Sequence, residues 1–401
     1  MFGKQANKAA LMVVAIGFVV MFVSGGSRHA IGLVLKPMAE GFGWERSDLG
    51  GAVALFLVIT ALCMYFSGYL ADRISVRAVL GGGFLVSAFG IGLMALVSEP
   101  WHAYLLYGVA FAAGNGVASV IPIGVMVSRQ FPDKVGTANS VAISGMGLGQ
   151  LMIISALTGV LIATGWDSVF LWLGLINLLM VPVILWLIRE KPSASGQQSG
   201  LIGEGLSLRE AMKTHHFWLL TGMYAFCGFH DFFASTHVVA FALDQGVSPL
   251  LAGNLLAFMG LAGLIGVISA GAWSDRFGPV SATLICHTVR VAVFALILLN
   301  KDTLSVIAFA LIFGFTFWIT APLAVVFVRN AFGARHVGTI SGLITCIHHM
   351  CGGLGAWLGA ASYDSTGKYD IAFIVMLVTA NAAVLLTVSL RAGDRQPTTV
   401  S

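Results

Sequence analysis

The feature that most constrains this chain is a series of apolar stretches, each about 20 residues long, separated by short polar gaps. A stretch of that length can cross a bilayer as one helix. Charged residues make up 9% of the chain, against about 25% in soluble proteins, while hydrophobic residues make up 58%. So few polar side chains could not cover the surface of a soluble fold. The sequence therefore predicts an all-α membrane protein with many spans.

Twelve transmembrane spans fit these apolar stretches. We predict spans 1 to 12 at 9–35, 47–71, 76–98, 101–130, 136–164, 167–189, 215–243, 248–274, 279–299, 303–330, 336–363 and 370–391. They divide the chain into a six-helix bundle at 1–189, a linker at 190–214 and a second six-helix bundle at 215–401. The linker has the Ser/Gly/Gln composition of a flexible connection, and it ends in a short predicted surface helix at Leu206–Lys213.

Lysine and arginine are distributed unevenly between the two sides of the predicted bilayer. Fifteen fall in the termini and in the loops that lead from even to odd spans, and four fall in the opposite loops. Cytoplasmic loops carry the excess of positive charge, so both termini are predicted to be cytoplasmic, in the cell (inner) membrane. Because the basic residues are scattered over many loops, the net charge of +4 does not indicate nucleic-acid binding.

A short charged loop occurs twice in the chain. The segment Gly68–Arg77 is GYLADRISVR and the segment Gly271–Val280 is GAWSDRFGPV, so that Asp72 and Asp275 lie 203 positions apart. A loop that recurs at half the chain length between apolar spans indicates an internal duplication of a membrane unit. Because one chain contains both halves, we expect a monomer.

The first copy of this loop resembles a motif of major facilitator superfamily transporters, found between their second and third helices. The resemblance is carried by Gly68, Leu70, Ala71, Asp72, Arg73 and Arg77. The family normally has Gly where this chain has Ser75, and Gly278 restores it in the second copy. The resemblance covers the whole chain and implies two pseudo-symmetric six-helix bundles around a central cavity. It also implies a gating role for the loop residues Gly68, Asp72, Arg73, Arg77, Gly271, Asp275 and Arg276.

Three charged side chains lie well inside the predicted spans: Arg28, Asp231 and Arg290. A charge at mid-bilayer costs at least about 2.5 kcal/mol on insertion scales, so each of them suggests a function. Arg28 and Asp231 are again 203 positions apart, at equivalent places in spans 1 and 7, which the family resemblance places around the cavity. We expect them to face each other as an opposite-charge pair. The same resemblance places Arg290 in a peripheral helix, where it contacts span 8 or reaches a lipid headgroup.

The residue types suggest a role for each charge. The guanidinium fork of Arg28 matches a carboxylate, which predicts binding of an anionic substrate. Asp231 would then compete for Arg28 or take up a proton. The alternative for both residues is an ion pair that only fixes the contact between spans 1 and 7.

Histidines occur in the same spans as these charges. Histidine titrates near neutral pH, so His230 and His237, two turns apart in span 7, are candidates for proton coupling together with Asp231. His230, His348 and His349 are candidates for substrate binding. His29 and Arg290 are second-rank candidates. For each histidine the alternative is a hydrogen bond to a neighbouring backbone or hydroxyl group.

Two uncharged residues complete the candidate binding set. Asn115 in span 4 precedes Pro122, and Trp318 in span 10 precedes Pro322, at places where a proline can bend the helix. We expect no metal and no cofactor beyond a coupling proton, because the histidines lie in separate spans without a carboxylate-rich shell. The five cysteines all lie in apolar stretches, which indicates buried thiols.

Within the superfamily, the chain resembles the bacterial monocarboxylate-porter and oxalate/formate antiporter-like branch. The residues that carry this resemblance are Ser27–Gly32, Pro37, Met38, Phe42–Asp48, Cys227–His230, Thr236, His237 and Arg290. The branch implies transport of small organic anions, often with a proton. Its carriers usually place the key arginine in the eighth helix, whereas 248–274 contains neither Arg nor Lys here, so that the cationic role passes to Arg28.

Three functional hypotheses remain. The first is a proton-coupled carrier of a small organic anion, a monocarboxylate in particular, that works by alternating access. The second is a drug/proton antiporter that exports lipophilic compounds, although span 4 lacks a buried arginine and span 5 lacks the Gly-Pro signature of such exporters. The third is a membrane sensor or membrane enzyme, for which the sequence offers neither a signalling domain nor a nucleophile–base constellation.

Overall fold

Within the part of the chain that the structure describes, twelve helical spans are long and apolar enough to cross a membrane, as predicted. A computed structural model describes residues 8–44, 46–131, 133–188 and 205–393. The spans are Leu11–His29, Gly51–Arg73, Val76–Leu96, Pro100–Gln130, Val135–Leu161, Trp166–Leu187, His215–Asp244, Asn254–Phe277, Pro279–Leu299, Thr303–Phe332, Val337–Tyr363 and Asp370–Leu390. They are called spans 1 to 12 below.

Several spans are built from more than one helix. The α-helices are Lys8–His29, Ile31–Phe42, Arg46–Arg73, Val76–Gly92, Pro100–Ala103, Ala112–Val117, Val120–Gln130, Val135–Ile143, Gly145–Thr164, Trp166–Leu187, Leu208–Ala211, His215–Asp244, Pro249–Phe277, Pro279–Leu299, Thr303–Phe317, Thr320–Phe332, Val337–Thr366 and Asp370–Gly393. Leu93–Leu96 is a 3₁₀ turn, and Tyr104–Phe111 is a π-helical segment.

Spans 4 and 10 break at equivalent places, where continuous helices were predicted. The break in span 4 falls at Ala118 and Ser119, and the break in span 10 falls at Trp318 and Ile319. In both spans a proline is the third residue of the helix that follows, where its missing N–H costs no intrahelical hydrogen bond. The helix of span 1 ends at His29 and a second helix, Ile31–Phe42, begins after Ala30, although no proline lies beside this break.

The two halves of the chain contact each other along two seams, span 2 against span 11 and span 5 against span 8. Glycines permit this approach. A Cβ atom on Gly338 would lie 2.6 Å from the carbonyl oxygen of Gly68, and one on Gly271 would lie 2.6 Å from that of Gly136. The two seams use glycines at equivalent positions of the internal repeat, as close helix packing in membranes requires.

Large apolar side chains cover the outside of the bundle. Leu299 is 87% exposed, Trp186 is 70% exposed and Leu385 is 68% exposed, each on a helix that spans the bundle or at its end. A soluble surface would not carry such a belt, whereas acyl chains solvate it without cost. The chain is therefore a multi-pass membrane protein.

The end of the linker is attached to the second half. Leu206 donates its N–H to the carbonyl oxygen of Phe332 at 2.8 Å, and the helix Leu208–Ala211 begins with a reciprocal cap between Ser207 and Glu210. Hydrogen bonds from Ser207 lower the pKa of the Glu210 carboxyl below its usual value. The helix is shorter than predicted. Residues 189–204, most of the predicted linker, lie outside the described residues.

Candidate functional site

A central cavity of about 750 Å³ lies between the two halves. Its lining residues come from spans 1, 2, 4 and 5 and from the equivalent spans 7, 8, 10 and 11. Among the described residues, spans 3, 6, 9 and 12 contribute none to the lining. The lining positions occupy the middle and one end of the helices. In span 2, for example, they run from Val53 to Met64 and stop before the charged loop.

The other end of the bundle, called the motif end because both charged loops lie there, is closed by two carboxylates. Asp72 accepts hydrogen bonds from the backbone N–H groups of Gly338 and Thr339, at 3.1 and 2.7 Å, and from the Thr339 hydroxyl at 2.7 Å. Asp275 accepts from the N–H groups of Gly136 and Thr137, at 2.9 and 2.8 Å. Each carboxylate therefore holds the first turn of a helix in the opposite half, where the helix dipole favours an anion.

Two arginine side chains add hydrogen bonds to backbone carbonyl oxygens at the motif end. Arg129 donates to the carbonyl oxygen of Ala71 at 3.1 Å, and Arg329 donates to that of Ser128 at 2.8 Å. The second contact joins span 10 to span 4 and so links the two halves. Closure at the motif end rests on these hydrogen bonds together with the two glycine seams.

Arg28 lies on the cavity wall, as predicted, and is held by aromatic rings. Its guanidinium carbon is 5.2 Å from the centroid of the Phe232 ring and 5.9 Å from that of Phe56, within the range of cation–π attraction. Its Nη1 lies 3.4 Å from Nε2 of His349 in span 11. No carboxylate among the described residues pairs with Arg28.

The expected pair between Arg28 and Asp231 is wrong, because Asp231 pairs with Arg290. Nη2 of Arg290 lies 2.6 Å from Oδ1 of Asp231, and Arg290 is fully buried. The guanidinium also donates to the Thr316 hydroxyl at 3.0 Å and to the Thr316 carbonyl oxygen at 3.1 Å. It reaches the carbonyl oxygen of Cys227 as well, at 3.3 Å.

The prediction that Arg290 contacts span 8 or a lipid headgroup is wrong for the same reason. Span 9 itself lines no part of the cavity, but the long side chain of Arg290 extends inward between spans 7 and 10. Arg28 and Asp231 do occupy equivalent positions and both line the cavity. The repeat fixes the depth of a residue along its span, and it does not fix which side chain from another span reaches it.

A thiol completes the group around Asp231. Sγ of Cys227 lies 3.4 Å from Oδ2 of Asp231 and 3.3 Å from Nη1 of Arg290. One ligand atom each from Cys227, Asp231 and His348 lies within 4.8 Å of the others, a spacing that a metal ion could bridge. The guanidinium of Arg290 already pairs with one oxygen of this carboxylate, however, and the set offers three ligand atoms, fewer than the four of a closed structural zinc site.

The adjacent histidines of span 11 both line the cavity, and each is oriented by a carbonyl oxygen. Nδ1 of His348 lies 3.0 Å from the Tyr224 carbonyl oxygen, and Nδ1 of His349 lies 3.0 Å from that of Thr345. Nε2 of His348 lies 3.8 Å from Oδ2 of Asp231. The pair of histidines therefore lies between the two charges that the sequence singled out.

The span 7 histidines lie away from the cavity, contrary to prediction. His230 is buried against span 12, where its Nε2 lies 2.9 Å from the Thr379 hydroxyl. His237 binds the carbonyl oxygen of Ala356 at 2.8 Å. Span 7 faces the cavity with Asp231 and Phe232, and His230 lies about 200° around the helix from Phe232, so it points away from the cavity. Neither histidine is among the lining residues, so the geometry supports neither the substrate-binding role predicted for His230 nor the proton-coupling role predicted for His230 and His237.

The three remaining candidates for the binding site, His29, Asn115 and Trp318, line the cavity. His29 does so while its Nδ1 lies 2.8 Å from the Gly25 carbonyl oxygen, the backbone hydrogen bond expected for a helix histidine. Asn115 donates to the Ser24 hydroxyl at 3.0 Å. The indole N–H of Trp318 is buried and has no hydrogen-bond partner among the described residues.

Sequence reasoning missed the aromatic rings around Arg28 and the role of Cys227. Phe56 and Phe232 look like ordinary members of apolar helices, and only the folded arrangement places their rings beside a guanidinium. Gln150 was also missed. Its amide lines the cavity from span 5 and donates to the Leu256 carbonyl oxygen at 3.2 Å. A glutamine inside an apolar span was the available signal.

Twelve spans in two related halves, a central cavity with buried charges and a closed motif end define a membrane carrier. Comparison with known proteins agrees, because the profile of the Major Facilitator Superfamily matches residues 17–356 and 231–400. The chain belongs to the major facilitator superfamily. It is a membrane transporter and not an enzyme.

Curated relatives extend over almost the whole chain. An uncharacterised MFS-type transporter, YcxA of Bacillus subtilis (strain 168), is 24% identical over 378 residues, 91% of each chain. The oxalate:formate antiporter of Oxalobacter formigenes is 25% identical over 393 residues, 96% of this chain and 91% of the relative. Monocarboxylate transporter 13 of Rattus norvegicus is 22% identical over 380 residues, 94% and 88% of the two chains. These names match the branch that the sequence resembles.

The fold is also that of a solved transporter. The crystal structure of the MFS transporter FucP in the outward conformation aligns with a TM-score of 0.74 at 14% sequence identity, and it covers 96% of this chain and 99% of FucP. The predicted fold of two six-helix bundles in the facilitator arrangement is confirmed.

Proposed function

We propose that this transporter carries a monovalent organic anion, a monocarboxylate, across the cell (inner) membrane by alternating access, together with a proton. The observation that carries the proposal is Arg28, a half-buried guanidinium on the cavity wall that pairs with no carboxylate among the described residues. A guanidinium offers two parallel N–H donors, which suit the two oxygens of a carboxylate.

The balance of charge favours one negative charge on the substrate. Among the described lining residues, Arg28 is the only lysine or arginine and Asp231 is the only acidic residue. Arg290 neutralises Asp231 from behind the wall, at 2.6 Å. Before the proton binds, and with neutral histidines, the cavity thus has a net charge of about +1. One carboxylate would cancel this charge.

The cavity leaves room for an apolar body beside the carboxylate. Its volume of about 750 Å³ lies in the range of sites that hold drug-sized ligands. Phe56 and Phe232 flank Arg28, and Phe317 and Trp318 form a further apolar wall. The names of the relatives, monocarboxylate transporters and an oxalate:formate antiporter, support an organic acid.

The orientation follows from the basic loops. The excess of lysine and arginine in the loops of the motif end supports a cytoplasmic motif end, and the proposed orientation therefore has the cavity facing outward. The carboxylate enters from outside and displaces His349 from Arg28. A proton binds close to Asp231. The hydrogen bonds of Asp72 and Asp275 then break, the two halves rock about the site, and the cavity opens to the cytoplasm.

Transport in liposomes tests this proposal. Purified protein reconstituted into vesicles should accumulate radiolabelled lactate or benzoate when the outside is made acidic, and an uncoupler should abolish the accumulation. Arg28→Gln should lose uptake, whereas Arg209→Gln, a substitution in the exposed linker, should retain it. Uptake of monocarboxylates that is indifferent to Arg28→Gln would refute the proposed site. Proton-driven movement of lipophilic cations alone would instead support the drug/proton antiporter.

A further inference from the structure

Two adjacent histidines in span 11 are locked in the same tautomer. Nδ1 of His348 and Nδ1 of His349 each lie 3.0 Å from a backbone carbonyl oxygen, that of Tyr224 and that of Thr345 respectively. A carbonyl oxygen only accepts, so both Nδ1 atoms carry the hydrogen. In the neutral rings, both Nε2 atoms therefore present a lone pair, and the two lone pairs are directed at different charges.

The lone pair of His349 is in use. Its Nε2 lies 3.4 Å from Nη1 of Arg28, and a guanidinium can only donate. A proton on this nitrogen would remove the hydrogen bond and bring two positive charges together. His349 is therefore neutral as long as it accepts this hydrogen bond from Arg28.

The lone pair of His348 faces another acceptor. Its Nε2 lies 3.8 Å from Oδ2 of Asp231, beyond hydrogen-bond distance but within the reach of an ion pair. A bare nitrogen and a carboxylate oxygen repel each other, whereas one added proton converts them into an imidazolium–carboxylate pair. The space between these two atoms is thus suited to bind a proton.

The groups that face this position support the assignment. Oδ1 of Asp231 is paired with Arg290, and the thiol of Cys227 reaches Oδ2 at 3.4 Å, so the carboxylate is stabilised as an anion without His348. From the other sides His348 faces the rings of Phe232 and Tyr224 and the ring of His349, with Arg28 beyond it. An unoccupied acceptor position on a stabilised carboxylate favours protonation of the imidazole.

We propose that His348 is the group that takes up the coupled proton, with Asp231 as its counter-ion, and that His349 links this proton site to the anion site at Arg28. The inference rests on the proposed transport of a monocarboxylate. A proton from the outside solution forms the new N–H bond at Nε2, and no other bond changes. The added positive charge attracts the anion, and the anion in turn favours the proton, since linkage between two sites is reciprocal.

Binding measured at two pH values tests the assignment. Benzoate and lactate are ionised at both pH 5.5 and pH 7.5, and calorimetry on the purified protein gives their affinities. The wild type should bind the better of the two at least about fivefold more tightly at pH 5.5, the lower end of typical couplings between sites. His348→Gln should bind it weakly and equally at both pH values. His102→Gln, a histidine outside the cavity, should behave as the wild type.

Several outcomes would overturn the assignment. One is a His348→Gln protein that keeps the wild-type ratio of affinities, above all if Asp231→Asn removes it. Another is a wild type that binds benzoate equally at both pH values, which contradicts the proton site and leaves the anion carrier intact. If neither carboxylate binds at either pH, the proposed function itself fails.

A spectroscopic measurement on the wild type does not depend on the folding of any variant. In protein labelled with ¹⁵N-histidine, benzoate added at constant pH should shift one histidine from a neutral to a protonated signal. Lactate should do the same if it binds. A spectrum in which saturating benzoate leaves every histidine unchanged would refute the proposal.

Discussion

The hydrogen bonds that Asp72 accepts at the motif end allow a quantitative prediction. The carboxylate accepts three hydrogen bonds from Gly338 and Thr339 across the interface between the halves. Hydrogen bonds to a charged group contribute about 1.5–3 kcal/mol each, against about 0.5–1.5 kcal/mol for neutral ones. Asp72→Asn removes the charge and leaves one acceptor oxygen. Partial exposure of Asp72 reduces the loss, so we expect the closed motif end to be destabilised by about 2 kcal/mol.

A loss of about 2 kcal/mol shifts a two-state equilibrium by about 30-fold, because each 1.4 kcal/mol is a factor of ten. The shift can be measured by double electron–electron resonance between spin labels at Ser75 and Arg335, exposed positions in different halves at the motif end. The Asp72→Asn protein should show a longer-distance population that the parent lacks. Asp302→Asn is the matched control, because Asp302 caps the helix of span 10 within one half.

The same variant separates gating from binding. Asp72→Asn should lower the turnover of transport more than it changes the affinity for substrate, since Asp72 does not line the cavity. Asp275→Asn should act in the same way through span 5, and the two variants together should open the motif end further. An Asp72→Asn protein with an unchanged distance distribution, or with normal turnover and lost binding, would refute the role of Asp72 in closing the motif end.

Three further predictions follow from the contacts. Arg290→Met should lower the melting temperature strongly, because removing one partner of a buried ion pair costs about 3–5 kcal/mol. Adding Asp231→Leu should restore much of the lost stability. Differential scanning calorimetry measures both variants, and an unchanged melting temperature for Arg290→Met would contradict the prediction. Gly68→Ala should weaken the closed motif end, because the Cβ of the alanine would clash with the carbonyl oxygen of Gly338. The accessibility of cysteines introduced at the motif end should rise. Unchanged accessibility would contradict the role of close packing between spans 2 and 11. Benzoate should bind more tightly than formate or acetate, because only its ring reaches the apolar wall of the cavity; equal affinities in a calorimetric series would argue against an apolar body.

The architecture could be predicted from sequence because the bilayer simplifies the problem. Apolar length predicts a span, and the recurrence of Asp72 at Asp275 predicts the repeat, so twelve spans and two bundles follow without long-range contacts. The depth of Arg28 and Asp231 followed from the same periodicity. Ahead of Pro122 and Pro322, the sequence predicted bends in the helices, whereas the structure has breaks.

The partners of the buried charges could not be predicted in the same way. Which group meets Asp231 depends on the reach of Arg290 from a span that does not line the cavity, and a long side chain can cross between helices. The direction of His230 depends on the rotation of span 7 about its axis, which an apolar sequence with little amphipathic pattern does not reveal. The tautomers of His348 and His349 depend on carbonyl oxygens whose positions only the folded chain defines.

Transport of a monocarboxylate through Arg28 is best tested by thermal stabilisation of the purified protein with a panel of monocarboxylates, dicarboxylates, lipophilic cations and drugs at two pH values. A monocarboxylate should raise the melting temperature, more so at the lower pH, and Arg28→Gln should abolish the effect. Stabilisation confined to lipophilic cations, or stabilisation by a carboxylate that persists in Arg28→Gln, would contradict this proposal.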